Sequence, residues 1–190
     1  MAELESNELE LLPRVLEDDL PTEDRMMIHV AVKRNGRIVV EDNALNDAAI
    51  TKGAVARVVE MDVFSDKEMI SSVSGDGVVV ATPTGSTAYS MSAGGPLVEP
   101  TTENIILTPI CAHMLAARSF VLDPRRVVTV LPLELEDRRC ILTCDGRGMI
   151  DLKDGDRVIV QRSDCRLYFA DLGTKSFYET AFEKLGERDQ

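Results

Sequence analysis

The alternation between Arg25 and Lys33 constrains this chain more than any other feature. Met26, Ile28, Val30 and Val32 occupy one side of a period of two, and Met27, His29, Ala31 and Lys33 the other. That period is the pleat of a strand with one face buried. Arg34-Asn35-Gly36 follows at once, and an Asn-Gly pair accepts the positive φ of a tight hairpin turn, so a β-hairpin is predicted. Comparable runs recur at Arg37 to Val40, Ala44 to Thr51, Val55 to Phe64, Lys67 to Val73 and Val78 to Ala81. They return at Ile105 to Thr108, Arg126 to Leu133, Arg139 to Thr143, Asp156 to Arg162 and Arg166 to Ala170. Turn signals at Cys144-Asp145-Gly146-Arg147-Gly148 and Lys153-Asp154-Gly155-Asp156 separate the later runs at hairpin spacing. Strands this short and numerous predict a mainly β fold: two packed, largely antiparallel sheets forming a sandwich with few helices.

Helices are expected only at the margins. Between Glu3 and Asp19, Leu4, Leu9, Leu11, Leu12, Val15 and Leu16 stand among acids, which suits an amphipathic helix broken or kinked at Pro13. The closing stretch from Thr174 to Gln190 suits a short helix with a frayed, charged tail.

The 190 residues suffice for one domain with a core of its own, spanning 1–190. Aromatic residues make up 4% of the chain and Trp is absent, so aliphatic side chains must fill that core. A net charge of −12 argues against nucleic acid and anionic membrane surfaces as partners, because neutralising phosphates takes clustered Lys and Arg. Cys111, Cys140, Cys144 and Cys165 form no CxxC pair, and His29 and His113 lie far apart, so zinc spacing is missing and buried thiols in a reducing cytoplasm are expected. No apolar run approaches a membrane span, and the acidic start is the reverse of a signal peptide, so the expected location is cytoplasmic.

One stretch departs from the strand rhythm. Ser74 to Pro100 runs a valine-rich strand into Thr82-Pro83-Thr84-Gly85-Ser86-Thr87, then Ala88-Tyr89, and ends on Gly94-Gly95-Pro96. Pro83 fixes φ, Gly85 admits unusual backbone angles, and Ser86 is placed to cap a short helix beginning near Thr87. The result is a strand-to-helix elbow whose backbone N–H groups could meet ribose or phosphate oxygens. Local physics leaves open whether this is a ligand site or an ordinary capped turn.

Asp76 to Pro100 resembles the signature segment of the NAD kinase family, and the resemblance continues in order on both sides. Ala44 to Gly53 is similar to the family's Asn-Glu or Asn-Asp dinucleotide-binding element. Leu107 to Leu122 is similar to its Thr-Pro-Ile-Cys-Pro-His segment, with Arg118 matching a later Arg. Thr143 to Gly148 is similar to its Asp-Gly-Gln turn, with Arg147 in place of Gln. The resemblance spans nearly the whole chain and implies the family's C-terminal, β-rich substrate-binding domain. The implied reaction transfers a phosphoryl group from ATP, with a divalent cation such as Mg2+, to the adenosine-ribose 2′-hydroxyl of NAD, giving NADP.

The resemblance also implies roles. Asn46 and Asp47 would engage the dinucleotide: an Asn donates and accepts at once, and a carboxylate accepts from ribose hydroxyls. Thr87, Ala88, Tyr89 and Ser92 would surround the adenosine half, and Asp76 would approach the nicotinamide side. Thr84, Gly85, Ser86 and Asp145 are secondary candidates. From the residues alone, Tyr89 serves equally as a core anchor, Asp76 and Asp145 as turn formers, and Asn46-Asp47 as an edge or turn pair. His113 and Arg118 read as supports of their loop, and Asp154-Gly155 reads as a hairpin.

The family's Gly-Gly-Asp-Gly-Thr motif, whose Asp is assigned the activation of the 2′-hydroxyl, is absent. Ser74-Gly75-Asp76-Gly77 is the nearest string and belongs to the other motif. The resemblance therefore implies that the catalytic base belongs to an N-terminal α/β domain that this chain lacks, that the chain alone catalyses little, and that the whole enzyme is a homo-oligomer. Two other readings stand beside this one: a lipid kinase domain of the diacylglycerol or sphingosine kinase type, and a non-catalytic module for dinucleotide binding or assembly.

Overall fold

The computed structural model describes residues 9–16, 20–53, 57–112, 117–136, 138–173 and 176–186. Among the described residues twelve strands form two six-stranded sheets. The first holds β1 (Thr22–Arg34), β2 (Arg37–Ala44), β4 (Val59–Ser65), β5 (Glu68–Gly75), β9 (Val128–Leu133) and β12 (Arg157–Ala170), in the order β2-β1-β12-β9-β4-β5. The second holds β3 (Asp47–Lys52), β6 (Gly77–Ala81), β7 (Ile105–Ile110), β8 (Phe120–Leu122), β10 (Cys140–Cys144) and β11 (Arg147–Leu152), in the order β11-β10-β3-β6-β7-β8. Every pairing is antiparallel, as the hairpin signals predict.

The period of two accounts for the core. Met26, Ile28, Val30 and Val32 of β1 meet Val59, Met61 and Val63 of β4, Val128 and Val130 of β9, and Val158 and Val160 of β12 in one buried cluster between the sheets. Ala48, Ile50, Val78, Val80, Leu107 and Leu142 close it from the second sheet. The outer face of that second sheet carries a smaller cluster of Ala49, Val79, Ala81, Ile106 and Ile110. Two buried faces explain why β6 and β7 are apolar without alternation.

The Asn35-Gly36 hairpin forms as expected, with φ of 49° and 80°. Other expectations need correction. The runs at Asp156 to Arg162 and Arg166 to Ala170 are one strand, β12, bowed where three residues oppose the single Met27. The run from Ala44 to Thr51 is broken at Leu45-Asn46, where the chain leaves the first sheet for the second. Within the predicted N-terminal helix, Leu9–Leu16 forms a 3₁₀ helix containing Pro13, and the remainder lies outside the described residues. Val55 lies outside them too, and the closing helix is α2 (Phe177–Gly186). Cys140 and Cys144 are buried, whereas Cys111 and Cys165 are exposed. No helix among the described residues is long and apolar enough to cross a membrane.

Asp154-Gly155 joins β11 to β12, which lie in different sheets, so it is a crossover and not a hairpin. Its anchor is Asp156, whose buried carboxylate accepts from Arg34 Nε at 2.7 Å, Arg34 Nη2 at 2.6 Å and the Lys153 amide at 2.9 Å. Asp154 accepts from the Leu135 amide at 2.8 Å. Removing Arg34 would strand a buried carboxylate, which costs far more than losing an exposed pair. Arg34→Met should lower unfolding stability by about 3 kcal/mol in urea titrations. Arg125→Met, which breaks the exposed pair with Asp123, should leave the midpoint unchanged.

Candidate functional site

The corner at Leu45-Asn46, between β2 and β3, would leave a row of amides without ladder partners. They are taken by one side chain a hundred residues away. The Asp145 carboxylate accepts from the Leu45 amide at 2.9 Å on Oδ2, and from the Asn46 and Asp47 amides at 2.7 and 3.2 Å on Oδ1. The Asp145 amide returns a bond to the Asp47 carbonyl at 2.9 Å. Asp145 adopts φ of 49° at the β10–β11 turn, beside Gly146 at 70°. The Asp-Gly pair is thus a hairpin turn whose side chain also sets a neighbouring corner.

The elbow seats against the same corner. The Thr82 amide donates to the Asn46 carbonyl at 2.8 Å, and Thr82 Oγ1 donates to the Leu45 carbonyl. Thr82 Oγ1 also accepts from the Gly85 amide at 3.1 Å, as a capping threonine does three residues ahead of its target. A Cβ on Gly85 would lie 2.0 Å from the Asn46 carbonyl oxygen, so only Gly allows this approach. The helix expected near Thr87 is a 3₁₀ turn (Thr84–Thr87) followed by the single turn α1 (Tyr89–Ser92), and their own N-cap residues, Pro83 and Ala88, supply no side-chain cap. Ser86 instead donates to and accepts from the backbone of Val98, at 3.0 and 3.1 Å, which folds the Gly94 to Val98 segment back onto the elbow. The amides of Gly85, Ser86 and Ala88 are engaged within the turn, so they are not the open anion cradle expected at a helix start.

Together these contacts bring Asn46, Asp47, Thr84, Gly85, Ser86 and Asp145 to one end of the second sheet. Asp47 pairs with Ala81 there, while Thr51 pairs with Gly77 at the opposite end. Asp76 therefore sits at that far end, about 17 Å along the strand from Asp47 at the usual rise per residue. It occupies the corner where β5 leaves the first sheet and β6 enters the second. Its carboxylate pairs with Lys52 Nζ at 2.6 Å, and its amide donates to the Ile110 carbonyl at 3.0 Å. Between the ends lies an outer face of small side chains, Ala49, Val79 and Ala81, with Ala93 and Val98 packed on its edge.

Tyr89 stands over this face, 41% exposed. Burial, then the charges of Asp76, Cys111 and Asp47, push its phenol up, so the hydroxyl senses both ends. Thr87 Oγ1 donates to the Thr84 carbonyl at 3.3 Å, Ala88 is half-buried and Ser92 is exposed at the end of α1. Asp47 is only 6% exposed. Burial, and secondarily the charge of Asp145, push its carboxyl up to about 6. Thr84 Oγ1 is buried with no hydrogen-bond partner. His113 lies outside the described residues.

Sequence reasoning did not single out Thr82 or Lys52. The spacing of Thr82 three residues before Gly85 is a signal that could have found the first; Lys52 carries no local signal for its pairing with Asp76. It also gave Asp145 a minor place, although three amides converge on its carboxylate. Asp145→Ala would leave those amides unpaired and should cost about 3 kcal/mol in chemical denaturation. Asp145→Asn should fall between the two proteins.

Comparisons with known proteins agree with this geometry. The family model described as the ATP-NAD kinase C-terminal domain matches residues 45–172. The NAD kinase of Acetivibrio thermocellus is 37% identical over 191 residues, covering 100% of this chain and 66% of the relative. That of Aquifex aeolicus is 41% identical over 188 residues, covering 97% and 68%. Yeast NADH kinase, solved in complex with NADH, superposes with a TM-score of 0.85 at 28% identity, over 94% of this chain and 52% of its own. An Archaeoglobus fulgidus NAD kinase, solved in complex with ATP, superposes at 0.69 and 26% identity, over 95% and 64%. The chain thus spans about two thirds of the length of the curated relatives it matches. A family model seated on the corner, the elbow and the Asp145 turn alike, with relatives similar along the whole sequence, places this chain in the NAD kinase family, as its C-terminal domain.

Proposed function

We propose that this chain is the dinucleotide-binding domain of a cytoplasmic NAD kinase, which transfers a phosphoryl group from ATP to the adenosine-ribose 2′-hydroxyl of NAD and yields NADP. The observation that carries the reading is the shared corner: one carboxylate, Asp145, fixes Asn46 and Asp47 against the Thr82–Ser86 elbow. The outer face of the second sheet, small side chains covered in part by Ala93 and Val98, runs from that corner toward Asp76. Its length suits an elongated ligand with polar groups at both ends.

Each residue has a task that its chemistry allows. Asn46 offers a donor and an acceptor to a base edge or ribose, and Asp47 accepts from sugar hydroxyls. Thr87, Ala88 and Ser92 line the elbow end with Tyr89, whose ring supplies a flat apolar face and whose hydroxyl meets a sugar. Asp76, steadied by Lys52, takes the nicotinamide end. These groups position the acceptor and do not activate it.

Phosphoryl transfer needs positioning, charge neutralisation and a base. We assign the base and the ATP phosphates to a domain bearing Gly-Gly-Asp-Gly-Thr, a string missing from this sequence. Among the described residues no three His, Cys, Asp or Glu side chains group as a metal site. The donors present among the described residues do not fit the divalent cation that accompanies ATP. The chain alone is accordingly inactive, and the whole enzyme is a homo-oligomer.

Thermal unfolding with added nucleotide tests the reading. NAD and NADP at about a hundred times their dissociation constants should stabilise the chain by about 2.7 kcal/mol, a rise of several degrees. ATP alone should do little, and Asn46→Ala and Tyr89→Ala should each remove most of the dinucleotide shift. Equal stabilisation by ATP, or dinucleotide shifts untouched by both substitutions, would contradict it.

A further inference from the structure

Asp47 is a carboxylate at the elbow end of the second sheet that the fold nearly buries, its oxygens left to the little solvent that reaches them. It is 6% exposed, and no donor of the described residues reaches its oxygens, because the corner amides all turn to Asp145 instead. By alternation its side chain lies on the outer face with Ala49 and Ala81, at the elbow end of the sheet. A buried anion with no donor is costly, and what it lacks is what a vicinal diol provides.

Its surroundings sharpen the point. Asp145 and Arg147 approach from the β10–β11 turn, where Arg147 Nη2 lies 3.7 Å from Asp145 Oδ2. Tyr89 approaches from α1 and Cys144 from β10, and Asp42 of β2 acts in turn on Cys144. Acids predominate in this set. Arg147 is its single cation, it leans on Asp145, and its side chain is 68% exposed.

Resting on the dinucleotide reading above, we propose that ligand binding is coupled to release of one proton from Asp47, so that this residue makes the site select for sugar hydroxyls in a pH-dependent way. In the free protein the carboxyl is divided between its two forms near pH 6, since burial pushes it up to about 6. When the ligand enters, the carboxyl O–H bond breaks and the proton passes to solvent. The ligand hydroxyls keep their own protons and donate to the carboxylate. No covalent bond to the ligand forms. Below the free-protein value, affinity therefore rises with pH, by as much as tenfold per unit, and levels off above it.

Isothermal titration of the chain with NAD, in buffers of different ionisation enthalpy, counts the proton directly. Near pH 6, where free Asp47 is about half ionised, about half a proton should leave per NAD bound, falling toward zero by about pH 8. Asp47→Asn should bind NAD more weakly with no proton exchanged near pH 6.

Ligand-free melting shows that the variant is folded and tests the residue on its own. A folded-state value raised above the unfolded one gives stability that is present at low pH and lost as pH rises through about 6. Asp47→Asn should therefore melt higher than the parent near neutrality, and the gap should close toward about pH 4. NAD binding with no proton exchanged, or with the same exchange in Asp47→Asn, would overturn the coupling and leave the dinucleotide reading intact. Failure of NAD to bind at any pH would overturn both.

Discussion

The three amides gathered on the Asp145 carboxylate are the constraint on which the rest of the site depends. A chain that leaves one sheet for the other must abandon its ladder for a residue or two, and the exposed donors must be met. Here one acid, held at φ of 49° by its own turn, meets them all. The corner it fixes turns the Asn46 carbonyl toward Thr82 and brings it so close to residue 85 that only Gly fits. The elbow's sequence is therefore as much a consequence of the corner as of any ligand.

Much of the fold was legible in the sequence because it rests on local periodicity. The alternation in β1, the Asn35-Gly36 turn and the apolar runs at Val78 and Ile105 each state their own burial. What was illegible depends on which sheet a strand joins. Asp154-Gly155 and Asp145-Gly146 have the same turn chemistry, yet one crosses between sheets and the other closes a hairpin. Nothing within three or four residues distinguishes them. The gap between Arg162 and Arg166 read as a break, because a bulge interrupts alternation without ending the strand.

The candidate site was legible as a set of residues and not as an arrangement. Asn46, Asp47, Asp145 and the elbow converge, while Asp76 stands at the far end of β3 and β6. Motif order along the chain holds no hint of that separation, because β3 and β6 run antiparallel and put consecutive motifs at opposite ends. Ser86 looked like a helix cap from its neighbours, but tertiary contact with Val98 took its hydroxyl, and Thr82 took the capping task. Asp47 is the point where the fold gives up stability at neutral pH for an acceptor that a ligand can satisfy.

A crystal structure of the chain soaked with NAD tests the central claim most directly. The account expects density lying along the outer face of the second sheet, with sugar hydroxyls on Asp47, the Tyr89 ring alongside, and the Asp145 bonds to the corner unchanged. Density for the dinucleotide in another crevice, with none beside Asp47 and Tyr89, would contradict it.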